Sequence, residues 1–300
     1  MTIFLLTGGT GQVGSELAQV LAPAGRVIAP GRDRMDLASP DSIRSAVRDC
    51  RPDVIVNVAG YTMVDKAEAE PDLAMRINGA APGIIAEEAK RAGAVLVHYS
   101  TDFVYDGELD RPYVETDATN PVNVYGRTKL AGERAIEAVG GAYLILRTSW
   151  VYGDQRENFV LTILRLARER RELAVVVDQE GSPSWSRSLA ASTAELLRRR
   201  ELLAANSGIY HLSAPGHASR YELATTAIGI MRELSGTADG WARVKPITSA
   251  EYPLPARRPP RPVTSKDKIR RVFGVEMPPW KTQLRNYLAH RAGAAERGTA

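Results

Sequence analysis

A chain of 300 residues with 44% hydrophobic content can bury a substantial core, as one large domain or as two lobes sharing a cleft. Its 39 Lys and Arg against 35 Asp and Glu leave a net charge of +4, with arginines interspersed among acids and aromatics at only 6%, which suits a phosphorylated small molecule and argues against a nucleic-acid surface. No run of ~20 apolar residues could span a membrane, the opening Met1 to Leu6 reads as a strand rather than a signal, and the lone Cys50 can make no internal disulfide, which is compatible with a reducing cytoplasm.

Short β-branched or aliphatic runs predict strands at Ile3 to Thr7, Arg26 to Ala29, Val54 to Val58, Val95 to Tyr99 and Tyr143 to Arg147. Helical patterns lie between them, so the expected fold is α/β, a Rossmann-like doubly wound parallel sheet. The first strand runs into Gly8-Gly9-Thr10-Gly11-Gln12-Val13-Gly14, with an amphipathic helix expected from Ser15. Glycines at 8, 11 and 14 allow a tight turn and let backbone amides approach a pyrophosphate at a helix N-terminus. An ordinary glycine-rich turn would look the same in isolation; its position after the first strand favours a dinucleotide.

The second strand ends before Pro30-Gly31-Arg32-Asp33-Arg34, where an NAD-preferring fold places an acid on the ribose. Arg32 or Arg34 could face a 2′-phosphate instead, which favours NADPH over NADH. Next, Ser39-Pro40-Asp41 reads as an N-cap, a first-turn proline and a first-turn acid.

The fourth strand ends in His98-Tyr99-Ser100-Thr101-Asp102, at the carboxyl edge where open α/β sheets take ligands. His98, inside an apolar run, reads as a hydrogen-bonded core residue. Together with His211, His217 and His290 it shows no metal-ligand spacing. Thr101 can hydrogen-bond a substrate carbonyl, or it can cap the following turn. Asn120-Pro121 then predicts a helix start, and just inside it Tyr125 and Lys129 share a face at i and i+4. An ammonium beside a phenol favours the phenolate, so the spacing predicts a Tyr125 with lowered proton affinity, usable as a general acid.

After about residue 150 the strict alternation decays, while Gly181-Ser182-Pro183, Ala214-Pro215-Gly216 and Pro253 to Pro262 gather turn residues. Residues 1–152, with 185–207 returning to them through a helix at Ser188 to Arg199, are expected to form the dinucleotide-binding lobe. Residues 153–184 and 208–300 are then expected to form a smaller lobe. The tail from Ala289 is expected to fray.

The glycine turn, Thr101 and Tyr125-x-x-x-Lys129 resemble the extended short-chain dehydrogenase/reductase family of nucleotide-sugar enzymes. More narrowly, Gly11-Gln12-Val13-Gly14, Val64 to Glu68, Ser100 to Gly107 and Pro121 to Glu133 look like the dTDP-4-dehydrorhamnose reductase family, with thinner likeness at Asp178 to Pro183 and Arg257-Arg258-Pro259. The resemblance implies a catalytic trio of Thr101, Tyr125 and Lys129. It also implies a cofactor site of Gly11, Gln12, Val13, Asp36, Leu37, Tyr61 and Thr62, beside which we count Gly8, Gly14, Arg32, Ala59, Gly60, Tyr125 and Lys129. Thr101, Asp102, Tyr125 and Trp150 are expected to face the sugar nucleotide, though packing between lobes is the plainer role for Trp150. The implied reaction is hydride transfer from NADPH to C4 of a dTDP-4-keto-6-deoxyhexose, by a monomer or homodimer with neither nucleic-acid nor membrane partners. Some family members are associated with Mg2+, for which no acidic ligands can be mapped in the C-terminal half. Departures at Ser184-Trp185-Ser186 and Pro260-Arg261-Pro262-Val263 leave the sugar open.

Overall fold

Each of the five apolar runs forms a strand. In the computed structural model, which describes residues 1–237 and 239–298, β1 (Thr2–Thr7), β2 (Gly25–Ile28), β3 (Val54–Asn57), β4 (Val95–Thr101) and β5 (Tyr143–Thr148) all pair in parallel. A sixth strand, β6 (Gly208–His211), adds to β5 and completes the order β6-β5-β4-β3-β1-β2. Four residues carry too little periodicity to announce a strand. The sheet therefore reaches into the stretch that the sequence pattern set in the smaller lobe.

Both faces of the sheet are covered, which explains why β3 and β4 are buried along their whole length. On one face α1 (Gln12–Leu21) packs Leu17 and Leu21 on Phe4 and Leu6. On the other, Ile43 and Val47 of α2 (Pro40–Cys50), Ile85 and Ala89 of α3 (Ala81–Ala92) and Ile136 of α4 (Val124–Val139) meet Leu5, Ile55, Leu96 and Ile145. The Ser39 cap on α2 is formed, its hydroxyl accepting from the Ser42 N–H at 3.4 Å. α1 begins at Gln12, three residues before the expected Ser15.

Beyond the sheet, α5 (Phe159–Glu169), α7 (Arg220–Ser235) and α8 (Trp280–Gly298) enclose a second core around Tyr152, Val160, Trp185, Leu223, Leu284 and Tyr287. Between α5 and α7 in sequence, α6 (Ser186–Leu197) returns to the sheet and lays Leu189, Ala190 and Leu196 on the α1 side. The tail expected to fray from Ala289 continues α8 to Gly298, and the last two residues lie outside the described ones. Among the described residues no helix is long and apolar enough to cross a membrane.

Under the carboxyl edge of the sheet lies a buried ion pair. Arg147 of β5 donates to both oxygens of Glu133 on α4, at 2.6 Å from Nη2 and 3.0 Å from Nε, and both side chains are at most 2% exposed. Ser100 donates to the same carboxylate, and Arg147 Nη1 reaches the Tyr105 hydroxyl at 2.6 Å. Removing one member strands the other charge away from water. Arg147→Met should therefore lower the unfolding free energy by about 3–5 kcal/mol. Adding Glu133→Gln should recover part of that loss in urea denaturation, because no bare carboxylate then remains.

Candidate active site

The sheet order turns outward at β1 and β3, whose neighbours run away in opposite directions, so a crevice opens at their carboxyl ends. Gly8 follows β1 with φ +68, the left-handed region, and a side chain on it would press on the Ala59 backbone after β3. Gly14 lies so close that a Cβ would overlap the Gly8 carbonyl. The turn thus has no room for side chains, and α1 starts above it with Gly11 as an N-cap that offers no side-chain partner to the first amides. Those amides are free to bind an anion.

Around this crevice the predicted cofactor residues are placed as follows. Gln12 and Val13 open α1, and Gln12 accepts from Asn158 of the second lobe at 3.4 Å. Arg32 and Arg34 are exposed beyond β2. Asp36 caps its own turn, accepting from the Ala38 N–H at 3.0 Å, and Leu37 is half-buried against the sheet. Ala59 donates its N–H to Thr7 at 3.2 Å, Gly60 and Thr62 are exposed, and Tyr61 is buried with its backbone clamped by Asn78 at 2.8 and 3.0 Å. Such a glycine cradle with exposed groups on its rim fits a dinucleotide. Among the described residues no group of three or more His, Cys, Asp or Glu is arranged for a metal ion.

At the end of β4 Thr101 caps the following turn, one of the two roles its sequence position allowed. Its hydroxyl accepts from the Phe103 N–H at 3.1 Å as a cap and donates to Asp102 at 3.1 Å. It also lies near enough to the Tyr125 phenol to act on its proton affinity. The helix that presents Tyr125 starts later than Asn120-Pro121 suggests, because Asn123 is the cap and accepts from Gly126 at 2.8 Å. Glu68 takes the Val124 N–H at 2.8 Å, so Tyr125 sits in the first turn, its ring edge-on to Phe103 at 5.8 Å.

One turn later Lys129 is 5% exposed, with Nζ 2.5 Å from the Tyr99 carbonyl and 3.2 Å from His98 Nε2. Burial lowers its pKa to about 8, against a raising effect of Glu133. The expected lowering of the phenol's proton affinity does not occur. Burial pushes Tyr125 up to about 12, with Asp102 adding to the rise and the Thr101 hydroxyl opposing it. The lysine does not act because its ammonium is turned into the sheet.

The second lobe contributes residues that sequence patterns did not single out. Arg220, at the start of α7, stacks its guanidinium 3.6 Å over the Trp150 ring, and Trp150 is itself held at φ +41. Lys266 donates to the Thr264 carbonyl at 2.6 Å. Burial lowers Arg220 to about 9 and Lys266 to about 8, and the Asp102 charge pulls both back up. Arg258 grips Asp65 through two 2.6 Å contacts and so ties the Pro253 to Pro262 loop to the first lobe. Trp150 packs on the second core, the plainer of its expected roles, with its ring under Arg220. Trp185, in the departing Ser184-Trp185-Ser186 segment, is buried in that core, its backbone N–H donating to Gln283 Oε1 at 3.0 Å. No sequence signal marks Arg220 or Lys266, because only tertiary folding brings them near β4.

The family model of the RmlD substrate binding domain matches residues 1–292. The chain is 45% identical to a dTDP-4-dehydrorhamnose reductase of Burkholderia thailandensis, covering 92% of this chain and 95% of that protein. It is 42% identical to one of Escherichia coli K12, covering 95% and 96%. The crystal structure of a dTDP-4-dehydrorhamnose reductase of Bacillus anthracis in complex with NADP superposes with a TM-score of 0.88 at 31% identity, covering 96% of this chain and 99% of that one.

Asp102 is 2% exposed, and burial raises its pKa to about 6 against hydrogen bonds from Ser149 and Thr101. Between its unfolded value near ~4 and that folded value the unfolded chain ionises first, so this group's share of stability is full below pH ~4 and falls as pH rises. Asp102→Asn should abolish that dependence. The variant should gain on the parent by about 2 kcal/mol from pH 4 to pH 6 in urea unfolding.

Proposed function

This chain belongs to the RmlD substrate binding domain family, and from that premise we propose that it reduces the C4 keto group of a dTDP-4-keto-6-deoxyhexose, dTDP-4-dehydro-L-rhamnose, to give dTDP-L-rhamnose at the expense of NADPH. The observation that carries this reading is the Tyr125 phenol beside Thr101 at the end of β4, on the sheet edge that also holds the glycine turn. NADPH, when bound, supplies the hydride.

The side chains supply the rest. Thr101 has a hydroxyl hydrogen that can turn from Asp102 to a substrate oxygen and polarise it. Tyr125, held up to about 12, keeps its proton at neutral pH. It still gives that proton readily, because an alkoxide forming at C4 is a stronger base than a phenolate. Lys129, one turn away, is assigned to the ribose hydroxyls of the cofactor, which its head group reaches by turning from the Tyr99 carbonyl and His98, and exposed Arg32 is assigned to the 2′-phosphate. Gly8, Gly11 and Gly14 with the first amides of α1 hold the pyrophosphate, and Gln12, Val13, Asp36, Leu37, Ala59, Gly60, Tyr61 and Thr62 line the crevice. On the substrate side Trp150 and Asp102 meet the sugar, and the buried cations Arg220 and Lys266 answer its diphosphate.

A dehydratase of similar build carries a second acid after the aspartate, whereas here Asp102 is followed by Phe103, packed on the Tyr125 ring. Elimination therefore lacks its second carboxyl. Tyr125→Phe should cut kcat by about 10²-fold or more with NADPH affinity, read by cofactor fluorescence, nearly unchanged. Normal turnover by that variant would defeat the assignment. The parent should oxidise NADPH in step with product formed, where an epimerase or dehydratase would regenerate its cofactor.

A further inference from the structure

Behind the catalytic groups the sheet holds a polar chain that the reaction as described leaves unused. Strand register sets Thr7 of β1, Asn57 of β3 and His98 of β4 side by side. Thr7 Oγ1 lies 2.6 Å from Asn57 Oδ1, Asn57 Nδ2 lies 2.9 Å from His98 Nδ1, and His98 Nε2 lies 3.2 Å from Lys129 Nζ. The far end is anchored where Thr7 accepts the Ala59 N–H at 3.2 Å, on the loop that borders the cofactor crevice. Thr7, Asn57, His98 and Lys129 are all 5% exposed or less, so each hydrogen must go to another member of the chain or to the backbone.

We propose that Thr7, Asn57 and His98 are positioning residues for the reaction, which hold Lys129 and couple its protonation to the tautomer of the His98 ring. The proposal rests on the catalytic reading of Lys129 given above. Hydrogen accounting admits two arrangements. An ammonium has only donors, so His98 Nε2 must be bare, Nδ1 must carry the hydrogen and donate to the Asn57 oxygen, and the Asn57 nitrogen must face Thr7. A neutral amine offers a lone pair instead. Nε2 then carries the hydrogen, Nδ1 accepts from Asn57 Nδ2, and the Thr7 hydroxyl donates to Asn57 Oδ1. The amide orientation in the structure, with nitrogen toward His98 and oxygen toward Thr7, is the second arrangement. When Lys129 loses a proton to bulk water, the ring hydrogen moves from Nδ1 to Nε2 and the amide turns over, so the lysine gives up its charge while Thr7, Asn57 and His98 stay neutral throughout.

Both arrangements are within reach near neutral pH. Burial and then the Lys129 charge hold His98 well below its ordinary value, so the ring stays neutral, while Lys129 sits at about 8. The other groups around the lysine are the Tyr99 carbonyl of β4 and, one turn before and one turn after it on α4, Tyr125 and Glu133. Glu133 is engaged by Arg147 of β5 and by Ser100. The imidazole is thus the partner of the lysine that can either accept or donate.

Asn57→Asp places an acceptor opposite Nδ1, forces the hydrogen there and favours the ammonium. His98→Leu removes the acceptor at Nε2 and disfavours it. With the full-length protein bound to NADP+, the Lys129 titration read by NMR of 13C-labelled lysine should move up by about one pH unit in the first variant and down by about one in the second, a tenfold change in proton affinity each way. The basic limb of the kcat/KM profile should follow in the same directions. A chain that only fills the core would alter stability and leave both titrations where the parent has them, and that result in folded variants would overturn the proposal. If neither variant folds, 15N spectra of the parent ring decide: a switch from the Nδ1–H to the Nε2–H tautomer as Lys129 deprotonates is expected, and a fixed tautomer overturns the coupling. Full turnover by Lys129→Ala would instead fault the catalytic reading of the lysine, leaving the NMR titration to judge the coupling separately.

Discussion

A lysine side chain can be withdrawn from water only if its head group finds partners, and the burial of Lys129 is the constraint around which this site is arranged. The Tyr99 carbonyl and the His98 ring provide those partners from β4. Meeting them fixes the rotation of α4 about its axis, and the same rotation sets Tyr125, one turn earlier, beside Thr101 at the strand's end. Chemistry and scaffold are therefore a single arrangement. The phenol keeps its proton because it is desolvated and the lysine charge is directed elsewhere, which suits the proton-donor role proposed for it.

The second lobe completes the site by bringing charge. Asp102 is shared: Ser149 and Thr101 hydrogen-bond it from the sheet side, and Arg220 and Lys266 act on it from across the cleft. Trp150 accepts a left-handed backbone so that its ring can lie under the Arg220 guanidinium, a conformation that costs on the order of 1–3 kcal/mol and persists only where the surroundings over-determine it. Gly181 permits this, since any side chain there would run into the indole. The Arg258 and Asp65 pair then fastens the loop of the second lobe to the first.

Much of this was legible in the sequence where local rules decide. Five strands are visible because buried parallel strands read as continuous β-branched runs, and the glycine turn is visible because only glycine tolerates its backbone and its closeness. His98 reads as a hydrogen-bonded core residue, and it is one. The start of α4 was misplaced by three residues because Asn120-Pro121 and Asn123 both carry capping chemistry, and only the free amide of Gly126 decides between them. β6 was missed because four residues show no period. Arg220 and Lys266 carry no local pattern at all, being placed by the packing of α7 and of the loop before Asp267. The direction of the Tyr125 shift was misread for a related reason: spacing shows that Lys129 shares its face, but not that a carbonyl of the neighbouring strand claims the ammonium first.

The central claim is that this crevice sets a nicotinamide against C4 of a keto-sugar. It is tested most directly by supplying NADPH deuterated at C4 of the nicotinamide together with dTDP-4-dehydrorhamnose, and locating the label in the sugar product by NMR. Deuterium bound to carbon 4 of a 6-deoxyhexose, in an amount equal to the NADP+ formed, is the predicted result. A sugar product free of label at that carbon, or NADPH left unconsumed while the sugar changes, would contradict the account.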